Sequence, residues 1–192
     1  SGMAYVSPEL QRRFQITSPI GHNTTSTVTG ATPDYALVRT TAIEAGSFIT
    51  EAHDRSMSRV AVLGPTVAHD LFGDGNEVVG KSIRINKINF KVIGVLKSKG
   101  GAGFFNPDDT VLVPLSTMQK ILAGADYLSL IGLTVQEKDQ MSAVQAEAGA
   151  LLTTLHRVVE PDFSIISQAD IIGTLSRVTT TFTLFLASIA SI

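Results

Sequence analysis

The sequence lacks cysteine and tryptophan and carries little net charge. Its 192 residues include 17 acidic and 15 basic ones, for a formal net charge of −2. Without cysteine it has no disulfide framework and no thiolate metal site. A near-neutral chain is also a poor nucleic-acid binder, because such proteins present a basic face to the phosphates. The hydrophobic share of 44% excludes a disordered tail and suits one ordinary domain or two small ones.

Known catalytic and metal-binding patterns are also missing. The chain has no Gly-x-Ser-x-Gly nucleophile elbow. We interpret Asp108 and Asp109, which follow a proline, as a solvated turn, and the alternative is a metal-binding or general-base role. None of the four histidines has the sequence spacing of a metal ligand. They are His22, His53, His69 and His156. The sequence therefore predicts no catalytic residue, no metal site and no cofactor.

One literal motif match needs a physical test. Residues 75–82 read GNEVVGKS and fit the phosphate-binding pattern G-x-x-x-x-G-K-[ST]. Such a loop works only between a preceding strand and a following helix, whose N-terminus faces the phosphates. Here a predicted helix precedes the motif and an alternating strand follows it. We therefore predict no nucleotide binding, and we expect Gly80 to supply a turn into a hairpin.

Hydrophobic patterning predicts a β-rich first part of the chain. Apolar and polar residues alternate over Ser82–Leu96, which predicts a hairpin that turns at Asn86-Lys87. Further strands are predicted over Leu10–Thr17, Thr24–Thr29, Arg59–Leu63 and Thr110–Val113. Short helices are predicted from Thr32 to Val38, Pro65 to Phe72 and Pro114 to Leu122.

The second part of the chain reads as strand, helix, strand. A strand over Tyr127–Gln136 precedes a helix from Lys138 to about Val158, whose apolar residues recur every three or four positions. A second strand is predicted over Asp162–Ser167. Together these elements have the pattern of a crossover unit.

The two ends of the sequence differ in character. Ser1-Gly2-Met3 is typical of an expression-tag remnant. At the other end, residues 178–192 follow the last charged residue, Arg177, and are themselves uncharged. A membrane span needs roughly 20 apolar residues. From the residues alone, two interpretations stay open, a buried C-terminal helix and the start of a transmembrane helix.

A glycine-rich loop between two predicted strands is the candidate site of interaction. Three glycines within residues 100–103 are followed directly by Phe104 and Phe105. Flexible glycines beside two aromatic side chains favour a loop that contacts a partner, formed by Gly103, Phe104 and Phe105. The alternative is a loop whose aromatic rings cover the core.

Seven segments follow one another in a characteristic order and spacing, and the matching region runs from Tyr5 to Ile192. They are GATPDY from Gly30, EAGSFIT from Glu44, VAVLG from Val60, DLFG from Asp70, VGKSIRI from Val79, FKVIGVL from Phe90 and VLVPLST from Val111. Together they resemble the extracytoplasmic core domain of MacB-type ABC transporter permeases, within the macrolide-export and FtsX-like permease superfamily.

This resemblance implies an α+β domain between the first and second transmembrane helices of a permease. It combines a porter-like strand–helix–strand subdomain with an inserted, mostly β subdomain. After residues 1–3, we expect residues 4–19 and 125–168 to form the porter-like part and residues 20–124 the inserted part. Residues 169–192 are then a C-terminal helix that starts the second transmembrane helix. Relatives usually carry a strand and a helix before Tyr5, so the porter-like part is expected to be incomplete.

The resemblance also implies a function. We expect a non-catalytic domain of an efflux or export permease, on the extracytoplasmic face of the bacterial inner membrane. It would couple ATP hydrolysis elsewhere in the transporter to a periplasmic or extracellular partner or substrate. Expected partners are the cytoplasmic ATPase, a periplasmic adaptor and a second permease copy, and no nucleic acid. The alternatives are the outer domain of a regulatory, cell-division or peptide-sensing permease, which binds a partner protein, and a free-standing ligand-binding domain.

Overall fold

The computed structural model describes residues 3–74, 77–101, 106–157 and 160–167, together with Thr179, Phe182, Thr183 and Leu186. Its strands are β1 (Met3–Thr17), β2 (Asn23–Ala31), β3 (Ile43–Gly46), β4 (Val60–Leu63), β5 (Ser82–Ile85), β6 (Ile88–Leu96), β7 (Thr110–Pro114) and β8 (Leu130–Val135). Its helices are α1 (Tyr35–Val38), α2 (Glu51–Arg55), α3 (Pro65–Phe72), α4 (Leu115–Thr117) and α5 (Met141–His156). α4 continues as a π-helical turn over Met118–Ala123, and a 3₁₀ turn over Lys138–Gln140 precedes α5.

The chain divides into two compact units. The first is Ala4–Thr134, and the second combines Val135–Ile192 with the first three residues. Six strands of the first unit close into a barrel in the order β1, β2, β7, β4, β6, β5 and back to β1. The β2–β7 and β4–β6 pairs are parallel, and the other four are antiparallel. Closure pairs the strands around the ring and removes the open sheet edge that would invite aggregation.

Side-chain alternation directs one row of each strand into the barrel. In the β5–β6 hairpin, Arg84 and Lys91 are exposed on the outer face. Asn86 and Lys87 turn the chain with φ of 48° and 69°, as a two-residue type I′ turn requires. The buried row of the hairpin comprises Ile83, Ile85, Phe90 and Val92. The hairpin and its turn were predicted from the sequence and are confirmed.

Helix α3 and the π-helical turn pack against this buried row and complete the main core. They contribute the buried side chains of Val67, Leu71, Phe72, Met118 and Leu122. Burying one such side chain stabilises the fold by about 1.5–3 kcal/mol. Gly30 of β2 permits the close approach of Met118, because a Cβ at Gly30 would overlap the Cβ of Met118.

Strand β1 is long enough to extend beyond the barrel. The second half of β1, from Leu10 to Thr17, pairs with β2. Strand β1 is also the neighbour of β8 in the sheet. The backbone N–H of Ser129 donates to the carbonyl of Glu9 at 2.8 Å, and Gln11 N–H donates to the Ser129 hydroxyl at 3.1 Å. These bonds hold the start of the β8 segment beside the middle of β1.

In the second unit, the segment after α5 contacts the helix through its side chains. The His156 Nδ1 lies 2.7 Å from Asp162 Oδ1, and the His156 and Phe163 rings meet edge to face at 5.9 Å between centroids. Residues 162–167 form no strand, so the strand predicted there is wrong. A strand forms only where backbone groups pair with a neighbouring strand, and here the side chains pack on α5 instead.

Most other predicted elements are confirmed to within a few residues, and the helix over Pro65–Phe72 is confirmed at both ends. Strand β1 is the exception, because it begins at Met3, seven residues before the predicted start at Leu10. β3 and α2 have no counterpart among the predicted elements. The expected division into residues 4–19 with 125–168, 20–124 and 169–192 stays a prediction. Most of the predicted C-terminal helix lies outside the described residues. Among the residues that the structure describes, no helix is long and apolar enough to cross a membrane.

Candidate functional site

The candidate partner-contact loop connects β6 to β7. Its predicted contact residues, Gly103, Phe104 and Phe105, lie outside the described residues. The structure does describe both ends of the loop, residues 97–101 and 106–109. These ends determine how the loop is attached to the barrel, and they form the base of the site.

Asp108 joins the two ends of the loop. Its carboxylate accepts hydrogen bonds from the Ser98 hydroxyl at 2.5 Å, the Lys99 backbone N–H at 2.9 Å and the Gly100 backbone N–H at 3.2 Å. Asp108 is only 8% exposed. The interpretation of Asp108 as part of a solvated turn is therefore wrong. Its side chain turns inward because three donors from the opposite end of the loop converge on it.

These contacts change the acidity of Asp108. Burial on its own raises the pKa of a carboxyl group, because it disfavours the charged form. The hydrogen bonds from the Lys99 backbone, the Ser98 hydroxyl and the Gly100 backbone, together with the positive charge of Lys99, outweigh that effect. The pKa of Asp108 consequently lies below its ordinary value, and the carboxylate is the form that closes the loop.

The same end of the loop is attached to α3. Asp108 N–H donates to the Asn106 side-chain oxygen at 3.0 Å, and the Asn106 amide donates to the Thr66 hydroxyl at 3.1 Å. Thr66 N–H in turn donates to the Asp108 carbonyl at 3.3 Å. Gly64, just before α3, makes this approach possible, because a Cβ there would overlap the Asp108 carbonyl oxygen.

Lys99 connects the loop base to the segment after α1. Its ammonium group donates to the Arg39 carbonyl at 2.6 Å and to the Thr41 hydroxyl at 3.0 Å. Partial burial and the charge of Arg39 lower the pKa of Lys99, whereas the charge of Asp108 opposes that change. Its two hydrogen bonds to protein oxygens thus stabilise the Lys99 ammonium group near the positive charge of Arg39.

Arg39 continues the series of contacts to strand β1. Its Nε and Nη2 atoms lie 2.9 Å and 2.8 Å from Oε1 of Glu9, whose side chain is fully buried. The second carboxylate oxygen of Glu9 accepts from the Gln11 side-chain amide at 2.9 Å. A buried carboxylate is tolerated only when it is paired and hydrogen-bonded in this way.

Tyr35 completes this cluster. Burial, reinforced by the negative charge of Glu9 and opposed by the charge of Arg39, raises the pKa of Tyr35. The Arg39 guanidinium lies 6.0 Å from the centroid of the Tyr35 ring, which stacks on Phe48 at 6.4 Å. The contacts of Glu9, Arg39, Lys99 and Asp108 therefore connect β1 to the loop base. This arrangement can position a loop, and it contains no paired nucleophile and base.

The remaining residues singled out in the sequence lie apart. His22 lies in the β1–β2 turn, His53 caps α2 by accepting from Thr50 N–H at 3.3 Å, and His69 lies 3.6 Å from Asp70 and from Asp74. Within the described ranges, no three acidic or histidine side chains are grouped as metal ligands.

The motif over residues 75–82 lies between helix α3 and strand β5, as predicted. This is the reverse of the strand-then-helix order that a phosphate-binding loop needs. Gly80 has φ of 89°, and its N–H donates to the Val92 carbonyl at 2.8 Å. Lys81 N–H donates to the Val78 carbonyl at 3.2 Å. These two amides are used in the turn and in the sheet, so they do not converge on an anion.

Comparison with known proteins identifies the family. The sequence profile of the MacB-like periplasmic core domain matches residues 1–151. The chain belongs to the MacB-like periplasmic core domain family. The macrolide export ATP-binding/permease protein MacB of Bdellovibrio bacteriovorus is 37% identical across 100% of this chain, which spans 30% of that relative. The MacB of Chlorobium phaeobacteroides is 37% identical over 86% of this chain and 25% of its own length.

Solved structures support the fold of this MacB-like domain. The periplasmic region of MacB from Actinobacillus actinomycetemcomitans has a TM-score of 0.78 at 21% identity, covering 92% of this chain and 77% of that one. The extracellular domain of the ABC-type transporter YknZ from Gram-positive bacteria has a TM-score of 0.72 at 22% identity, covering 83% and 80%. These similarities confirm the predicted α+β class. This chain therefore spans only about 30% of the length of the Bdellovibrio bacteriovorus relative.

Proposed function

We propose that this MacB-like periplasmic core domain is the non-catalytic extracytoplasmic domain of an ABC-type efflux or export permease of the inner membrane. In this proposal, ATP hydrolysis on a separate domain or subunit moves the domain, which acts on a periplasmic or extracellular partner or substrate. The observation that carries the proposal is the family match over residues 1–151. It is supported by relatives that are themselves named ATP-binding/permease proteins.

The partner-contact role is assigned to Gly103, Phe104 and Phe105. Support comes from the base of the loop, where Asp108 joins both ends and Lys99 continues the contacts to Arg39. A loop that transmits displacement needs a base that moves with the domain, because a loosely attached loop would absorb the movement. The contacts that run from Glu9 to Asp108 provide such an attachment.

The wider assembly follows from the same proposal. The permease pairs with a second copy, uses the ATPase of the same transporter and contacts a periplasmic adaptor through this domain. Residues 4–19 and 125–168 form the porter-like part, and residues 20–124 form the inserted part that carries the loop. Residues 169–192 lead into the second transmembrane helix.

Site-specific crosslinking in the intact permease tests this function. A photo-crosslinkable phenylalanine analogue is placed at Phe104 or Phe105, and the adducts are compared between ATP-bound and nucleotide-free membranes. We expect adducts with an adaptor protein encoded beside the permease, in a yield that changes with the nucleotide state. Arg55, exposed on α2, is the control position and should give no such adduct.

Two outcomes would contradict the proposal. Adaptor adducts at Arg55 with none at the loop would remove the contact role of Phe104 and Phe105. Adducts with a cell-wall hydrolase or a sensor kinase, in place of an adaptor, would establish the regulatory alternative.

A further inference from the structure

The basic residues of this chain are distributed unevenly. Residues 78–107 contain six of the 15 lysines and arginines and none of the 17 acidic residues. The rest of the chain therefore holds nine bases (15 − 6) and 17 acids, a formal charge of −8 (9 − 17). A segment of charge +6 is thus set into a domain that is otherwise acidic.

The fold places part of this charge on one surface. The strand register sets Lys91 opposite Ser82 and Arg84 opposite Asn89, with Thr17 of β1 on the other side of Arg84. Because the alternate residues of both strands are buried, Arg84 and Lys91 project from the outer face of the barrel. Lys87 lies at the tip of the same hairpin and is also exposed. We refer to Arg84, Lys87 and Lys91 as the basic hairpin face.

These three charges are available for a partner. Among the described residues, no ion pair includes Arg84, Lys87 or Lys91. This differs from Arg39, Arg55 and Lys120, each of which is paired with a carboxylate.

The position of Lys87 supports a role for its charge. It is the second central residue of the hairpin turn and has φ of 69°, where glycine is the favoured residue. Residues other than glycine are uncommon in this left-handed region. The lysine places a charge at the tip of the hairpin in a backbone conformation that favours glycine.

We propose that the basic hairpin face is a docking surface for an acidic patch on a partner protein. Charge complementarity selects an anionic partner. The neutral neighbours of the face, Thr17, Ser82 and Asn89, are hydrogen-bonding side chains. Membrane-surface binding usually combines basic residues with inserted apolar side chains, whereas these three neighbours are polar.

A peptide-binding measurement tests the electrostatic requirement. The probe is a synthetic peptide of alternating glutamate and serine, and its affinity is measured by fluorescence anisotropy at low and physiological salt. The variant Arg84→Gln/Lys87→Gln/Lys91→Gln should bind about tenfold more weakly at low salt, because it lacks the attracting charges. The matched control, Arg55→Gln/Lys120→Gln/Lys138→Gln, removes the same charge elsewhere and should bind as the unaltered chain does. Equal urea-unfolding midpoints establish that both variants are folded.

Crosslinking in the intact parent protein tests the class of partner. A photo-crosslinkable residue at Asn89, between the strands of the face, should form an adduct with a peptide of another protein that has an excess of Asp and Glu. The adduct should be lost in the hairpin variant and retained in the control variant.

Three results would overturn the proposal. The first is an equal loss of peptide affinity in the control variant. The second is stronger binding to phosphatidylcholine–phosphatidylglycerol vesicles than to pure phosphatidylcholine vesicles, when that difference depends on the three hairpin residues. The third is an adduct with a basic or neutral peptide, or with lipid. None of these measurements depends on Phe104 or Phe105, so the proposed function can fail without affecting this inference.

Discussion

Arg39 places two of its guanidinium nitrogens within 2.9 Å of a single oxygen of Glu9, whose side chain is fully buried. The backbone carbonyl of the same arginine accepts from Lys99 at the base of the β6–β7 loop. One residue thus connects strand β1 to the loop through its side chain and its main chain. This connection makes the Glu9–Arg39 pair a testable element of both the fold and the proposed site.

Replacing Arg39 with Met should destabilise the chain by about 2–3 kcal/mol, because a buried carboxylate loses its cation while the aliphatic packing is kept. The estimate lies below the roughly 3–5 kcal/mol expected for a fully buried pair, since Arg39 is 38% exposed. The double variant Glu9→Met/Arg39→Met should regain at least about 1 kcal/mol relative to the single variant. Urea unfolding with an unchanged m-value measures both.

The control for this prediction is the exposed pair of Arg55 and Glu51 on α2. Arg55→Met should change the free energy of unfolding by no more than about 0.5 kcal/mol, as expected for a surface pair. Equal effects of the Arg39 and Arg55 variants would show that the Glu9–Arg39 contact carries no special stability.

The variant Asp108→Asn should destabilise the loop base by about 2 kcal/mol near neutral pH, because an amide nitrogen would face the backbone donors that the carboxylate now accepts. The sign of the pH dependence follows from the lowered pKa of Asp108. The carboxylate stabilises the folded state above the unfolded pKa of about 3.9. That stabilisation is lost as the pH falls through the lower, folded-state pKa.

Urea unfolding of the two chains across the acidic range tests this. Their difference in free energy of unfolding should be constant near neutral pH and should shrink below about pH 4. Asp109→Asn is the matched control and should change the free energy of unfolding little near neutral pH. A difference that stays constant into strong acid would contradict the assigned role of Asp108.

The sequence predicts the local elements well and the charged contacts poorly. The β5–β6 hairpin is readable because burial alternates with period two and the turn residues fall between the strands. Barrel closure is not readable, since it depends on β2 pairing with β7, whose residues lie more than eighty positions away, as Thr27 and Thr110 do. Glu9 is likewise indistinguishable in the sequence from a solvated strand residue. Its partner Arg39 comes beside it only through the folded chain.

Two glycine substitutions should have opposite effects. Gly64→Ala should destabilise the chain, because the new Cβ would overlap the backbone carbonyl of Asp108, which the loop base holds in place. Gly149→Ala lies within α5, where the nearest atom is the terminal methyl of Ile165 at 3.3 Å. A methyl group can shift, so this variant should gain up to about 1 kcal/mol of helix stability.

Thermal unfolding and far-ultraviolet circular dichroism distinguish the two cases. Gly64→Ala should lower the unfolding temperature, and Gly149→Ala should preserve or increase the helical signal. A neutral Gly64→Ala would mean that the Asp108 segment can move away from α3 without loss of stability.

Magnesium-ATP should not bind this chain despite the literal motif over residues 75–82. The amides of Gly80 and Lys81 already donate to Val92 and Val78, and a strand follows them instead of a helix. Isothermal titration calorimetry should therefore give no binding heat. Micromolar binding that Lys81→Ala abolishes would falsify this prediction.

Deleting residues 179–192 should leave a folded and more monomeric chain. Phe182 and Leu186 are four residues apart in helical segments, and each side chain is 63% exposed. Apolar surface in water costs about 25 cal/mol per Å², so contact between such surfaces of two copies is favourable. The steps of four and three residues from Ile171 to Ile189 have the spacing for helix-to-helix packing.

Light scattering at high concentration should show self-association of the whole chain and less of it after the deletion. If both are monomers, the apolar surface must be covered within the same chain, and the interpretation of these residues as the start of a transmembrane helix loses its main physical support.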